Sequence, residues 1–169
     1  MEQQLLNEFK QNAIFRLKEG QRMIHLAMDK IGEESVWQLP VQNGLSLGNQ
    51  LLHICGNMTQ YAIASLSEIP DERRRDQEFL PHQGDTKAQL LRQMDQTIAK
   101  AKKSIADAPM ENYLKVRKVQ GFQLSGLGVV LHAVEHFSYH VGQIAFWIKQ
   151  LTQADLWFYD QYDLTKRNA

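Results

Sequence analysis

The chain has 169 residues, 43% of them hydrophobic, which suits one domain with a hydrophobic core and is too short for two ordinary domains. Its 19 Lys and Arg residues balance 19 Asp and Glu residues, so no net charge attracts nucleic acid or an anionic membrane. The single cysteine, Cys55, excludes an internal disulfide. With no signal-peptide pattern and no long apolar run, the sequence predicts a cytoplasmic protein that spans no membrane.

Two long helices are predicted in the N-terminal half of the chain. Apolar residues recur at helical spacing from about residue 4 to residue 32, and Pro40 and Gly44 mark the connection that follows. A second helix is predicted from Ser46 to Glu68, where apolar residues form one stripe. Pro70 ends this helix and begins a charged loop.

Two further helices are predicted in the C-terminal half. Thr86 is a suitable N-cap for a third helix that ends near Ala106. Between Tyr113 and Leu124 polar and apolar residues briefly alternate, which indicates a short irregular or strand-like segment. The fourth helix runs from Ser125 to about Leu151, and its apolar positions alternate by four and three residues, as in antiparallel bundles.

These elements predict an all-α fold, an antiparallel four-helix bundle with a short irregular or strand-like segment before the last helix. We expect a single domain over residues 1–160 and a frayed C-terminal tail over residues 161–169. The aromatic run at residues 156–159 is too apolar to stand in solvent. It is predicted to fold back on the bundle or to pack at a dimer interface, with the wall of a substrate pocket as the weaker alternative.

Two of the four helices carry almost no charge. No Asp, Glu, Lys or Arg occurs between Glu34 and Glu68, and Glu135 is alone between Lys118 and Lys149. A helix with a solvated face normally carries charged residues on that face. The second and fourth helices are therefore predicted to be shielded all round, by the bundle, by loops or by a partner subunit.

Three histidines lie at four-residue intervals on the fourth helix: His132, His136 and His140. Residues four apart share a helix face with their Cβ atoms about 5–6 Å apart, which lets two imidazoles converge on one divalent ion. On a helical wheel His140 flanks the apolar seam, His136 lies further round and His132 is almost opposite. The pattern favours His136 and His140 as metal ligands. It makes His132 either a neighbour of the site or an exposed residue.

A third ligand must come from elsewhere, and His53 on the equally uncharged second helix is the best candidate. It belongs to a polar ridge that also contains Ser46, Asn49, Gln50, Asn57 and Gln60. This ridge faces solvent or a partner subunit, or it lines a polar cavity opposite the fourth helix; the periodicity fits both. Three neutral imidazoles would leave an open coordination position, as catalytic sites do.

Other polar residues are candidates for supporting roles. Asn57 and Gln143 lie about one turn or less from the predicted ligands, where they could orient a bound water or an imidazole N–H. Asp76 and Glu78 lie in a loop that either covers the site or is solvated. No pattern identifies a nucleophile or a general base, so the catalytic residues stay unassigned.

Three residues with metal-binding chemistry are predicted to be structural instead. His25 and His82 have no partner at ligand spacing. Cys55 points off the His53 ridge toward apolar neighbours, which is typical of a small core residue.

Three segments resemble the DinB/YfiT-like superfamily, in particular a branch of small bacterial proteins whose function is not established. They are Ser46–Asn57, Arg75–Phe79 and Val134–Ile144, the last with the specific pattern His-x-x-x-His-x-Gly-Gln, and the likeness extends over residues 5–159. The resemblance implies a four-helix bundle, usually a homodimer. It also implies a metal held by one histidine of the second helix and two of the fourth, which are here His53, His136 and His140.

The resemblance further implies chemistry at a divalent metal, with Zn, Ni, Mn and Fe all open. Characterised members of the superfamily are metal-dependent transferases and isomerases that use low-molecular-weight thiols, which implies thiol transfer to an electrophilic small molecule. A metal-dependent hydrolase and a non-catalytic, dimeric metal-binding or stress-related module are the alternatives. Nucleic acid is not an expected partner, because the chain has no basic patch interleaved with aromatic residues.

Overall fold

The computed structural model describes residues 1–81 and 84–167. His82, expected to be structural, lies outside the described residues, as does the end of the predicted tail, Asn168 and Ala169. The described chain forms the α-helices α1 (Glu2–Met28), α2 (Leu47–Met58), α3 (Lys87–Asp107), α4 (Met110–Leu114) and α5 (Gly126–Thr152), with the strands β1 (Val116–Val119) and β2 (Phe122–Ser125). Two 3₁₀ turns, Glu33–Ser35 and Arg75–Phe79, and a π-helical segment, Thr59–Ser65, complete it.

The first helix ends earlier than its apolar spacing predicts. After Met28 the backbone turns, although Ile31 still buries its side chain in the core. The Nζ atom of Lys87 donates hydrogen bonds to the carbonyl oxygens of Met28, at 3.2 Å, and Ile31, at 2.7 Å. An amine at the start of α3 thus satisfies carbonyl groups that the end of α1 leaves free. The apolar pattern extends beyond the helix because Ile31, which follows the end of α1, is still buried in the core.

The second predicted helix has the expected extent but changes its hydrogen-bonding pattern partway. The Oγ atom of Ser46 caps α2 by accepting a hydrogen bond from the backbone N–H of Asn49 at 3.1 Å. From Thr59 to Ser65 the chain continues as a π-helix, and the positive φ of Glu68 (56°) marks the end of the helical course. This segment buries Tyr61 completely. Segments of π-helix often lie at functional sites.

The predicted third helix, strand-like segment and fourth helix are all present. Thr86 caps α3 in a capping box with Gln89, and Ser125 caps α5. The strand-like segment is a short helix, α4, followed by an antiparallel hairpin of β1 and β2. Gln120 and Gly121 adopt positive φ angles of 51° and 88° at the hairpin turn, which tight two-residue turns require.

The long helices pack around one apolar core, in which α1 and α2 each contact both α3 and α5. Fully buried side chains from all four long helices line this core, among them Leu17, Ile24, Leu51, Ile54, Met94, Ile98, Val130 and Ile144. The protein is mostly helical. The polar ridge of α2, which contains His53, faces α5. In the described part of the chain, no helix combines the length and the apolar character needed to cross a membrane.

The aromatic run after α5 folds back only in part. Leu156 is buried and Phe158 packs against the core, whereas Trp157 and Tyr159 are exposed. The segment that folds back contacts α1, where Arg22 donates a hydrogen bond to the backbone carbonyl of Phe158 at 2.9 Å.

Candidate metal centre

The polar ridge of α2 meets the histidine face of α5 inside the protein. His53 Nε2 lies 3.0 Å from His136 Nε2, and the ring centroids of His136 and His140 are 4.6 Å apart. One potential ligand atom from each of His53, His136 and His140 lies within 4.8 Å of the other two. Of the two sequence-based interpretations of the His53 ridge, the structure therefore has the one in which His53 faces the fourth helix.

The spacing of these nitrogens suits a shared divalent ion. Two nitrogens that each lie about 2.1 Å from one tetrahedral ion are about 3.4 Å apart, close to the 3.0 Å between His53 and His136. His53 and His140 are buried, while His136 is partly exposed. The three histidines could hold a metal ion, and His136 is the one of them that solvent partly reaches.

Burial sets the protonation of the cluster. Burial, and then repulsion from neighbouring imidazoles, lowers the pKa of His136 to about 3. Burial also lowers the pKa of His140 to about 4 and shifts the pKa of His132 below its ordinary value. These imidazoles are therefore neutral at pH 7, which is the form that binds a metal.

A buried ion pair adjoins His53 on the side away from α5. Glu78, in the 3₁₀ turn Arg75–Phe79, places Oε2 2.8 Å from His53 Nδ1. Arg73 donates to both carboxylate oxygens of Glu78 at 2.7 Å, and the Arg73 side chain is only 2% exposed. Burial by itself would raise the pKa of the Glu78 carboxyl, but the hydrogen bonds from Arg73 and His53 outweigh it and lower that pKa.

The residues predicted to support the ligands divide into two groups. Gln143 lies near His140 and opposes the lowering of the His140 pKa, and His140 Nδ1 lies 3.3 Å from Gln50 Oε1. Asn57 instead contacts His132, with 3.3 Å between Asn57 Nδ2 and His132 Nε2. The His132 ring lies beside the His136 ring, with centroids 5.7 Å apart, so His132 is a neighbour of the cluster rather than an isolated surface residue.

Two neighbours of the cluster, Arg73 and Tyr61, escape prediction. Tyr61, in the π-helical segment, stacks on His132 with the ring centroids 4.0 Å apart. In the sequence Arg73 is one of three consecutive arginines balanced by nearby acidic residues. Only the ion pair with Glu78, seen in the structure, distinguishes it from the other two. The signal available was the charged run itself, which directly follows the uncharged histidine helix.

The residues predicted to be structural behave as expected where they are described. His25 Nε2 lies 2.8 Å from Asp95 Oδ1, in a contact between α1 and α3. Cys55 is buried in the core, and burial raises the pKa of its thiol to about 12, so it is neither a thiolate nor part of the histidine cluster.

Comparisons with known proteins support the fold and leave the reaction open. Residues 4–159 match the family described as protein of unknown function, DUF1572. Among solved structures, a DinB-like protein, YjoA, from Bacillus subtilis superimposes with a TM-score of 0.66 at 12% identity, over 85% of this chain and 94% of that chain. At that identity the likeness speaks for the fold alone. No curated protein matches the sequence.

We predict that the metal-free protein loses stability in acid through this cluster. The pKa values of His136 and His140 lie below the ordinary histidine value of about 6.5. Below about pH 6.5 the unfolded chain therefore binds more protons than the folded protein does. Stability should be fully present above about pH 6.5 and should fall as the pH drops toward the folded pKa values. Urea unfolding between about pH 7.5 and pH 5 measures this.

The matched variant for this measurement is the double substitution His136→Gln and His140→Gln. It should flatten the pH dependence while leaving the denaturant m-value unchanged. An equally steep loss of stability in the double variant would show that other groups carry the acid sensitivity.

Proposed function

Because the chain belongs to the DUF1572 family and has a DinB-like fold, we propose that it is a metal-dependent enzyme that binds one divalent ion through His53, His136 and His140. In this proposal the long helices form an antiparallel four-helix bundle, in a cytoplasmic protein. The observation that carries the proposal is the convergence of three imidazoles from two helices, within 4.8 Å, inside a core. Zn, Ni and Fe suit such imidazole ligands, whereas Mn, the other metal that the resemblance implies, prefers oxygen ligands.

The charge around the site favours an anionic ligand at the open position. The three ligands would be neutral, and Arg73 compensates the negative charge of the adjacent Glu78. A bound ion would supply Lewis-acid chemistry with its positive charge uncompensated, and it would hold a thiol as the nucleophilic thiolate. We therefore propose transfer of a low-molecular-weight thiol to an electrophile, with access past the partly exposed His136. A hydrolase would use the same open position for water.

A non-catalytic role is the second candidate, and one observation favours it. The three histidines join α2 to α5, so an ion bound there would cross-link these two helices. In that role the ion would stabilise the fold without supporting turnover.

The first test is the metal itself. Protein purified without an affinity tag or chelator should contain about one equivalent of a divalent metal per chain. His140→Ala should weaken metal binding by at least about 100-fold, because losing a ligand costs more than losing a supporting contact. His25→Ala is the matched control, since His25 pairs with Asp95 outside the cluster. A metal-free wild-type protein, or unchanged binding by His140→Ala, would contradict the proposal.

The second test separates enzyme from cross-link. If the site is catalytic, thiol-plus-electrophile turnover should depend on metal and should drop at least about 100-fold in His136→Ala, which removes the most accessible ligand. Turnover is followed by loss of free thiol across a panel of electrophiles, before and after metal removal. Metal removal that lowers the melting temperature while no member of the panel is turned over would favour the cross-link.

We also propose that the protein is a homodimer through the outer face of α5. Leu131, Tyr139 and Phe146 expose 61%, 63% and 65% of their surface on this face, and Phe15 of α1 borders it. A groove of about 990 Å³ runs between these helices and the C-terminal segment. A second copy of the chain would cover apolar surface on a helix that carries few charges.

Leu131→Glu should shift the protein toward monomers, because it places a charge where apolar surface would be buried. Light scattering after size-exclusion chromatography measures the mass. Leu114→Glu is the control, since Leu114 is 63% exposed but lies on α4. Wild-type protein that is monomeric at all concentrations, or a Leu131→Glu variant that dimerises as tightly as wild type, would refute this interface.

A further inference from the structure

We propose that Glu78 is a positioning residue, which holds His53 with its proton on Nδ1 and so presents the Nε2 lone pair to His136 and His140. The inference rests on the proposed metal site, but it concerns the protein without metal. Glu78 lies 25 residues from His53, in the loop between α2 and α3. In the sequence it belongs to the segment Arg75–Phe79, and the resemblance of that segment assigns no role to the residue.

The contact between Glu78 and His53 defines where the proton sits. Glu78 Oε2 lies 2.8 Å from His53 Nδ1, and a carboxylate oxygen can only accept a hydrogen bond. Two charge-assisted hydrogen bonds from Arg73, both 2.7 Å, keep Glu78 as the carboxylate. A bare Nδ1 at 2.8 Å would set two lone pairs against each other, so the proton lies on His53 Nδ1.

A competing contact favours the other tautomer and is the weaker one. Arg73 Nη2 lies 3.3 Å from His53 Nδ1 and could donate to that nitrogen only if it were bare. The same Nη2 atom already donates to Glu78 at 2.7 Å. The shorter contact with the negatively charged partner decides in favour of Nδ1–H.

Helix α2 holds Glu78 in place by three residues on one face. Asn49 Nδ2 donates to the backbone oxygens of Glu78, at 2.9 Å, and Leu80, at 2.7 Å. Gly56 leaves the space for the carboxylate, because a Cβ atom at this position would lie 1.9 Å from Glu78 Oε1. Positions 49, 53 and 56 follow helical spacing, so the helix that carries His53 also positions its partner.

The tautomer of His53 sets the proton between the two helices. His53 Nε2 and His136 Nε2 are 3.0 Å apart, so one of them donates to the other when no metal is bound. With His53 protonated on Nδ1, the donor is His136. To bind a metal through Nε2, the neutral His136 would have to move its proton from Nε2 to Nδ1, whereas His53 would already present a bare Nε2.

Long-range ¹H–¹⁵N NMR of the metal-free protein tests this directly. At about pH 8.5, two units above the ordinary histidine pKa of about 6.5, wild-type His53 should show a protonated Nδ1 and a bare Nε2. A His53 that carries its proton on Nε2 would overturn the inference. This spectrum decides the matter even if the wild type binds no metal, in which case only the proposed function fails.

Cobalt(II) titration followed by its visible absorption supplies the second readout. Glu78→Gln should weaken cobalt binding about 10–100-fold, the usual effect of removing a partner of a ligating histidine. Gly56→Ala, which keeps the carboxylate but displaces it, should weaken binding in the same direction and raise the Nε2–H form of His53. Asp76→Asn is the control, since Asp76 is exposed on the same 3₁₀ turn. Wild-type affinity and an unchanged tautomer in both Glu78→Gln and Gly56→Ala would refute the role of Glu78.

Discussion

The polar faces of α2 and α5 meet inside a helical core, and this contact constrains what surrounds it. A buried imidazole loses its hydration, so each ring nitrogen needs a partner from the protein or from a ligand. His53 has such partners on both sides, Glu78 at Nδ1 and His136 at Nε2. The same burial keeps His136 and His140 neutral, which is the form that accepts a metal. Loss of hydration therefore has two effects on these imidazoles: it makes their burial costly, and it keeps them in the neutral form that can hold an ion.

The Arg73–Glu78 pair explains how a carboxylate can lie beside this cluster without adding negative charge to it. An unpaired buried carboxylate would be strongly unfavourable, whereas Arg73 satisfies both of its oxygens. Phe79 packs its ring 5.1 Å from that of His53, which further confines the imidazole. The 3₁₀ turn Arg75–Phe79 is therefore part of the candidate site through Glu78 and Phe79, while Asp76 of the same turn is exposed to solvent.

Local features of the fold could be predicted because their causes lie within a few residues. Thr86 and Ser125 cap helices through backbone groups three residues away, and the spacing of apolar residues identifies α5. Glu78 could not be assigned, because its inward position depends on Gly56, 22 positions earlier in the chain. Tyr61 follows His53 and Asn57 at four-residue intervals, so helical spacing alone would have placed it on the same ridge, where it stacks on His132.

Helix α5 carries the candidate ligands on one face and exposed apolar residues on the adjacent face. Side chains from the two faces contact each other. Adjacent residues on a helix point about 100° apart, and the rings of Tyr139 and His140 meet edge to face with centroids 5.3 Å apart. If a second copy covers the outer face as proposed, it packs directly on Tyr139. Assembly and metal site would then share one aromatic contact, so a rearrangement of Tyr139 on dimerisation would reach His140 without passing through the rest of the core.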